Sequence, residues 1–395
     1  MISKEMYELG AKRSTIRELF EYGKQQSLIV GKENVFDFSI GNPTVPAPAC
    51  VKEAMLELLE TCKSDEIHSY TSAQGDFEVR KGLADYMNNT YNCQLKADNF
   101  YMTCGAAASL CIALKALTAD ASDEFIIIAP YFPEYQVFIA NMGAQVVIVP
   151  PDTDNFQIQM DLLEKAITKN TKGIIINSPN NPSGVVYSEE TLKAIGSLLR
   201  RKSEEYKKPL YLISDEPYRE IVYDGVHAPY VPAFYDNTII CYSYSKSLSL
   251  PGERIGYILI PDDVENSKEV YTAVCGAGRA LGYVCAPSLF QKVILKCQGK
   301  TSDVALYDIN RKMLYDKLTD MGYQCVRPQG AFYLFVKALE KDAVNFCENA
   351  KKFNLLIVPA DDFGCPGYVR ISYCVDPDMI KRSFEAFQKL RDLYK

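Results

Sequence analysis

Six short apolar runs, separated by longer amphipathic segments, constrain this chain more than any other feature. They read EFIIIAP (124–130), AQVVIVP (144–150), KGIIINSP (172–179), PLYLISDEP (209–217), NTIICYSYSK (237–246) and RIGYILI (254–260). Each is rich in β-branched residues, has strand length and shows no polar face. Strands buried on both sides within a parallel sheet have this pattern, whereas a half-exposed strand alternates. Between the runs lie stretches with helical periodicity. MDLLEKAITKN (160–170) is one, and SEETLKAIGSLLRRKSEEY (188–206) is another, with Ser188 placed as its N-cap. Strand and helix in alternation predict an α/β layer fold.

The pattern changes after a helical region near 285–320. GAFYLFVKA (330–338), LLIVPA (355–360) and YVRISYCV (368–375) predict strands with fewer helices between them, and a last helix is expected over 377–394. A smaller α+β unit is therefore predicted at the C-terminal end. The chain has 395 residues, enough for two or three such units.

Composition excludes several classes. A net charge of −7 with no basic tract offers nothing to nucleic acid or to an anionic membrane. No apolar stretch has the length of a bilayer span, and the charged N-terminus lacks a signal-peptide core. The thirteen cysteines are scattered singly beside only two histidines, which argues against a zinc site and a disulfide framework. A cytoplasmic protein with reduced thiols and no metal is the expectation.

Ligands of an open parallel sheet bind beyond the carboxyl ends of its strands. There the runs deliver NSPNNPSG, SDEPYRE and YSYSK, so that Asn181, Asp215, Tyr218, Ser243, Lys246 and Arg254 would converge. Each has an ordinary reading when taken alone. A lysine among serines is usually a solvated charge, Asp215 a helix N-cap, and Asn-Asn-Pro-Ser-Gly a turn. Gly105, Ala106 and Ala107 suit tight helix packing, and Phe132 suits a core. Arg370, inside an apolar strand, is different, because a buried arginine needs an anionic partner. Together the residues suit pyridoxal phosphate: a lysine for the aldehyde, a carboxylate for the ring nitrogen, and donors for the ring oxygen. Hydroxyls, an arginine and the helix start in TCGAAASLCIALKAL (103–117) would serve the phosphate.

Eight blocks occur in order: SIGNP (39–43), YTSAQGDFEVRKGLADY (70–86), TCGAAASL, APYFPEY (129–135), NSPNNPSG, SDEPYRE, SYSKSLSLPGERIGY (243–257) and YVRISY. With them the sequence resembles fold-type I pyridoxal-phosphate enzymes of the aspartate aminotransferase superfamily. The resemblance implies a mostly parallel seven-stranded sheet between helices. It also implies an N-terminal arm and part of the small domain over 1–45, a large cofactor-binding domain over 46–285 and a small α+β domain over 286–395 that the N-terminal segment helps to form.

The same resemblance implies residue roles. Lys246 would form the Schiff base and move the substrate proton. Asp215 would pair with the ring nitrogen, and Asn181 and Tyr218 would bond the ring oxygen. Ser243, Arg254 and the backbone of Gly105, Ala106 and Ala107 would hold the phosphate, joined by Tyr70 from the partner of a homodimer with shared sites. Phe132 would stack on the ring, Arg370 would clamp the substrate α-carboxylate, and Gly41 and Asn181 would line the substrate pocket. Arg279, in GAGRALGYVCAP, matches an arginine that reads a distal carboxylate from the other subunit, and equally suits a structural interface role.

The activity implied is transfer of the amino group of an L-amino acid, aspartate-like by first expectation, to a 2-oxo acid such as 2-oxoglutarate. A β-eliminating C–S lyase or another enzyme of the same fold type is the alternative, since the motifs specify cofactor more than outcome. A non-enzymatic DNA-binding module would need an N-terminal winged-helix extension, which is not expected here.

Overall fold

The computed structural model describes residues 2–11 and 15–395. Its larger sheet has seven strands: β1 (Phe100–Thr103), β2 (Glu124–Ile128), β3 (Gln145–Val149), β4 (Thr171–Asn177), β5 (Tyr211–Asp215), β6 (Thr238–Ser243) and β7 (Gly256–Leu259). They lie in the order β1-β7-β6-β5-β4-β2-β3. Strands β2 to β6 run parallel, and β7 runs antiparallel to both β6 and β1.

The isoleucines explain why this sheet needs helices on both faces. Ile126, Ile128, Ile174 and Ile176 pack to one side with Leu192, Ile195 and Leu199 of the Glu189–Tyr206 helix. Ile127, Ile175, Ile213 and Ile239 pack to the other side with Leu110, Ala113 and Leu114 of the Ala106–Leu117 helix and Val274 of the Ser267–Ala280 helix. Each fully buried aliphatic side chain contributes roughly 1.5–3 kcal/mol. Ser188 caps the Glu189–Tyr206 helix as predicted, its Oγ accepting from the Thr191 amide at 3.1 Å.

Two features of this sheet depart from the reading of the runs. RIGYILI has the all-apolar pattern of the parallel strands, yet β7 is antiparallel. Only a single short helix, Tyr244–Ser247, lies between β6 and β7, and a parallel crossover needs a longer connection. The edge strand β1 is four residues long and was not among the six runs.

The C-terminal part forms a four-stranded antiparallel sheet of β8 (Cys325–Val326), β9 (Tyr333–Lys337), β10 (Val358–Pro359) and β11 (Tyr368–Ser372), in the order β10-β11-β9-β8. Helices Val304–Asp320, Ala343–Lys351 and Pro377–Asp392 cover it, with Leu314, Phe346 and Phe387 in the shared core. The run LLIVPA divides. Leu355–Leu356 pairs in parallel with Phe36–Asp37, and Val358–Pro359 joins β11. The N-terminal segment is thereby tied to the smaller layer, and residues 38–41 leave that pairing toward the large sheet's carboxyl edge. The helical region near 285–320 is two helices, Ser288–Lys296 and Val304–Asp320.

Candidate active site

A cavity of about 280 Å³ opens where the carboxyl ends of β4, β5 and β6 meet β9 and β11. Parallel registry brings the first two strands out level, Asn177 opposite Asp215. Asn177 Nδ2 donates to the Asp215 carbonyl at 2.8 Å, and its Oδ1 accepts from the Asn181 amide at 2.7 Å. The turn after β4 is thus tied to the end of β5, which fixes Asn181.

Asp215 is buried and lines the cavity. Tyr135, on the Glu134–Asn141 helix, donates to its Oδ2 at 2.5 Å, and its Oδ1 has no partner. Burial pushes the carboxyl up to about 7; the Tyr135 bond opposes this and the Glu216 charge adds to it. A buried carboxylate with an empty oxygen beside a cavity is suited to a cationic partner that enters from outside.

Lys246 projects from the one-turn helix after β6, which Ser243 caps by accepting from the Ser245 amide at 3.2 Å. Its Nζ donates to the Gly41 carbonyl at 2.7 Å. Burial lowers the ammonium to about 8; the Cys374 thiol acts against this, and Arg370 and Arg254 act with it. Gly41 has no room for a side chain, since a Cβ there would fall 2.1 Å from the Tyr333 hydroxyl.

On the other side of the cavity, Gly105 adopts φ +88° and starts the Ala106–Leu117 helix. An added Cβ at Gly105 would lie 2.8 Å from Nη2 of Arg254. Arg254 Nη1 donates to the Pro251 carbonyl at 3.0 Å and to Ser245 Oγ at 3.3 Å, and Ser245 Oγ lies 2.7 Å from Ser243 Oγ. A helix N-terminus, two hydroxyls and a guanidinium on one wall are donor groups of the kind that suit a phosphate dianion.

Arg370, from β11, is 2 % exposed. Its Nη1 donates to Asn181 Oδ1 at 3.1 Å and its Nη2 to the Ser39 carbonyl at 2.6 Å, while Nε is unpartnered. Among the described residues it makes no ion pair, so a buried cation here faces a cavity without its anion. Phe132 lines the same cavity, edge-on to Tyr135 at 5.7 Å between centroids.

All the expected residues line the cavity except Gly105, Tyr70 and Arg279. Gly105 stands behind Arg254. Tyr70 is 85 % exposed, and Arg279 is exposed in the last turn of the Ser267–Ala280 helix. Both were expected to act across a subunit interface, and one chain brings neither into its own cavity.

Sequence reasoning did not single out Ile16, Tyr135, Asn177, Ser245 or Tyr333. Asn177, Tyr135 and Ser245 fall within or beside quoted blocks, and only the hydrogen bonds distinguish them from their neighbours. Ile16 reaches the cavity from the Thr15–Val30 helix, which nothing in its own sequence ties to the site.

The donor set fits pyridoxal phosphate on observations of this structure: an orphaned buried carboxylate oxygen, a lysine below its ordinary range and an anion cradle at a helix start. Comparison with known proteins agrees. Residues 33–387 match the family model of aminotransferase class I and II. The aspartate aminotransferase of Thermotoga maritima is 30% identical over 398 residues, covering 99% of each chain. A probable N-acetyl-LL-diaminopimelate aminotransferase of Bacillus subtilis is 30% identical over 379 residues, covering 92% of this chain and 91% of the relative. The crystal structure of an aminotransferase from Eubacterium rectale is 61% identical and superimposes with a TM-score of 0.99 over 100% of this chain and 99% of that one. The chain therefore belongs to the class I and II aminotransferases, enzymes of fold type I that use pyridoxal phosphate.

Proposed function

We propose that this enzyme moves the amino group of an L-amino acid, with an aspartate-like dicarboxylate as leading donor, onto a 2-oxo acid such as 2-oxoglutarate. The observation that carries the reading is Arg370, a buried guanidinium without an anion, in the same cavity as Lys246. The names of its relatives add support: aspartate aminotransferase recurs among them, and one Thermus thermophilus structure, 26% identical with a TM-score of 0.84, was solved with maleate, a dicarboxylate.

In this reading Asp215 would hold the cofactor's ring nitrogen, and Asn181 and Tyr218 its ring oxygen. Phe132 would lie against the ring. Ser243, Arg254 and the Gly105–Ala107 backbone would hold the phosphate, with Tyr70 of the partner subunit. When bound, the cofactor supplies an aldehyde carbon and an electron-withdrawing cationic ring. Lys246, with its ammonium lowered to about 8, gives up a proton far more readily than an ordinary lysine and is then a base placed to take one from the substrate's α-carbon. Arg370 orients the substrate by its α-carboxylate, which decides the bond that is weakened. Gly41 leaves the space that the Tyr333 hydroxyl fills, and its carbonyl holds the Lys246 amine beside that wall.

Among the described residues, the cations lining the cavity are Lys246, Arg254 and Arg370, all assigned by this reading. A distal carboxylate would then need Arg279 from the partner of a homodimer. The division into a large domain over 46–285 and a small one over 286–395, with a cytoplasmic location, belongs to the same reading. The test is a half-reaction titration of the holoenzyme with an amino-acid panel, followed spectroscopically. Amino transfer dependent on a 2-oxo acid supports the reading. Release of pyruvate and ammonia without an acceptor would turn it toward a C–S lyase.

A further inference from the structure

Tyr333 touches three parts of the site without having been assigned to any of them. It begins β9, opposite Ser372, is 2 % exposed and lines the cavity. Its Oη lies 2.8 Å from Oη of Tyr218, which follows β5 of the other sheet. Its ring carries the Arg370 guanidinium, with Cζ 4.7 Å from the ring centroid. The same hydroxyl occupies the space that a Cβ on Gly41 would need.

An aromatic that only closes the wall has no use for this hydroxyl. Phe332, next in the chain and wholly buried, fills space as a phenylalanine. Burying a hydroxyl is costly unless it is bonded, and Tyr218 is the side-chain partner that Tyr333 has. Two hydroxyls in one hydrogen bond use one proton. If Tyr218 points its hydroxyl hydrogen at a ring oxygen in the cavity, Tyr333 is left to donate to Tyr218. Burial, first among several causes, pushes the Tyr333 phenol up to about 12, so it keeps a proton to donate.

We propose that Tyr333 is a positioning residue of the reaction: its hydroxyl turns the Tyr218 proton onto the cofactor's ring oxygen, and its ring face holds the Arg370 plane ready for the substrate carboxylate. The link joins the two layers, since Arg370 and Tyr333 stand on the smaller sheet and Tyr218 in the turn that follows β5 of the larger. The inference rests on the roles proposed above for Tyr218 and Arg370.

The experiment uses holoenzyme of wild type, Tyr333→Phe, Tyr333→Leu and Tyr218→Phe. The substrate-free visible absorption is titrated with pH, and kcat and KM are measured for one amino donor. A donor to the ring oxygen favours its ionised form, so losing or weakening that donor moves the absorption midpoint up. Tyr333→Phe should move it up by on the order of 0.5–1 pH unit, the size of one ordinary hydrogen bond, with KM within about twofold of wild type. Tyr333→Leu should show the same shift and a KM raised roughly 3–30-fold, because the cation–π platform is gone. A wild-type titration for Tyr333→Phe, alongside a clear shift in Tyr218→Phe, overturns the hydroxyl's role. A wild-type KM for Tyr333→Leu overturns the ring's role. No shift in Tyr218→Phe would overturn the assignment of Tyr218 itself, and the relay with it.

Discussion

Tyr135 donates to Oδ2 of Asp215 across 2.5 Å while Oδ1 of the same carboxylate has no partner. The arrangement is half finished: one oxygen is oriented by the protein, and the other is left beside the cavity. The carboxyl rises to about 7 because burial penalises its charge, and a single neutral phenol does not offset that.

The sign of a pH effect follows from this pair. In cofactor-free protein the folded carboxyl binds its proton more tightly than the unfolded one, which titrates near 4. Stability attributable to Asp215 is therefore fully present below about pH 4 and is lost as pH rises toward about 7. Asp215→Asn should equal wild type in thermal stability at pH 4 and exceed it at pH 8 when the cofactor is absent. With cofactor bound the order should reverse at pH 8, since only the carboxylate can pair with a cationic ring. Cofactor-free melting curves of the two proteins that stay parallel from pH 4 to pH 8 would contradict the assignment.

Lys246 is the second prediction. Lys246→Ala should leave the fold intact and remove amino transfer altogether. Borohydride reduction of wild-type holoenzyme should fix the cofactor on the peptide containing Lys246, and peptide mass analysis reads the position directly. Attachment to any other lysine refutes the role.

Shared sites make the third prediction. Tyr70 is 85 % exposed, an unusual setting for a tyrosine with a cofactor role unless a second chain covers it. Tyr70→Phe and Lys246→Ala proteins should each be impaired. Once subunits exchange, hybrid dimers should regain activity, because one of the two sites then carries neither lesion. Proven exchange with no recovery would count against sites built from two chains.

Arg279 tests substrate choice. Arg279→Ala should lower kcat/KM for aspartate, glutamate and 2-oxoglutarate by roughly 30-fold or more, the cost of removing one partner of a desolvated charge pair. Alanine should be little affected. Arg370→Lys, by contrast, should weaken every donor alike, because the α-carboxylate is common to all and a lysine lacks the two-pronged guanidinium. Equal losses for all donors in Arg279→Ala would reduce that residue to an interface support.

The layered α/β architecture and a smaller α+β unit at the C-terminal end were legible in the residues alone, because β-branched runs, helix caps and turn residues act over a few neighbours. The ordered blocks also marked which strand ends deliver chemistry, since in a parallel sheet every carboxyl end reaches the same edge. Which residues meet is a matter of the three-dimensional packing. Tyr135 and Asp215 are separated by 80 positions, Tyr218 and Tyr333 by 115, and Asn181 and Arg370 by 189. No local pattern encodes such pairs: the first depends on how a helix packs on the large sheet, and the other two on how the two sheets meet. The antiparallel direction of β7 and the division of LLIVPA between two sheets have the same origin, in connection length and pairing partners that lie far away in the chain. Tyr70 and Arg279 lie one level further on, because the surfaces that present them are completed only by another chain in the proposed dimer.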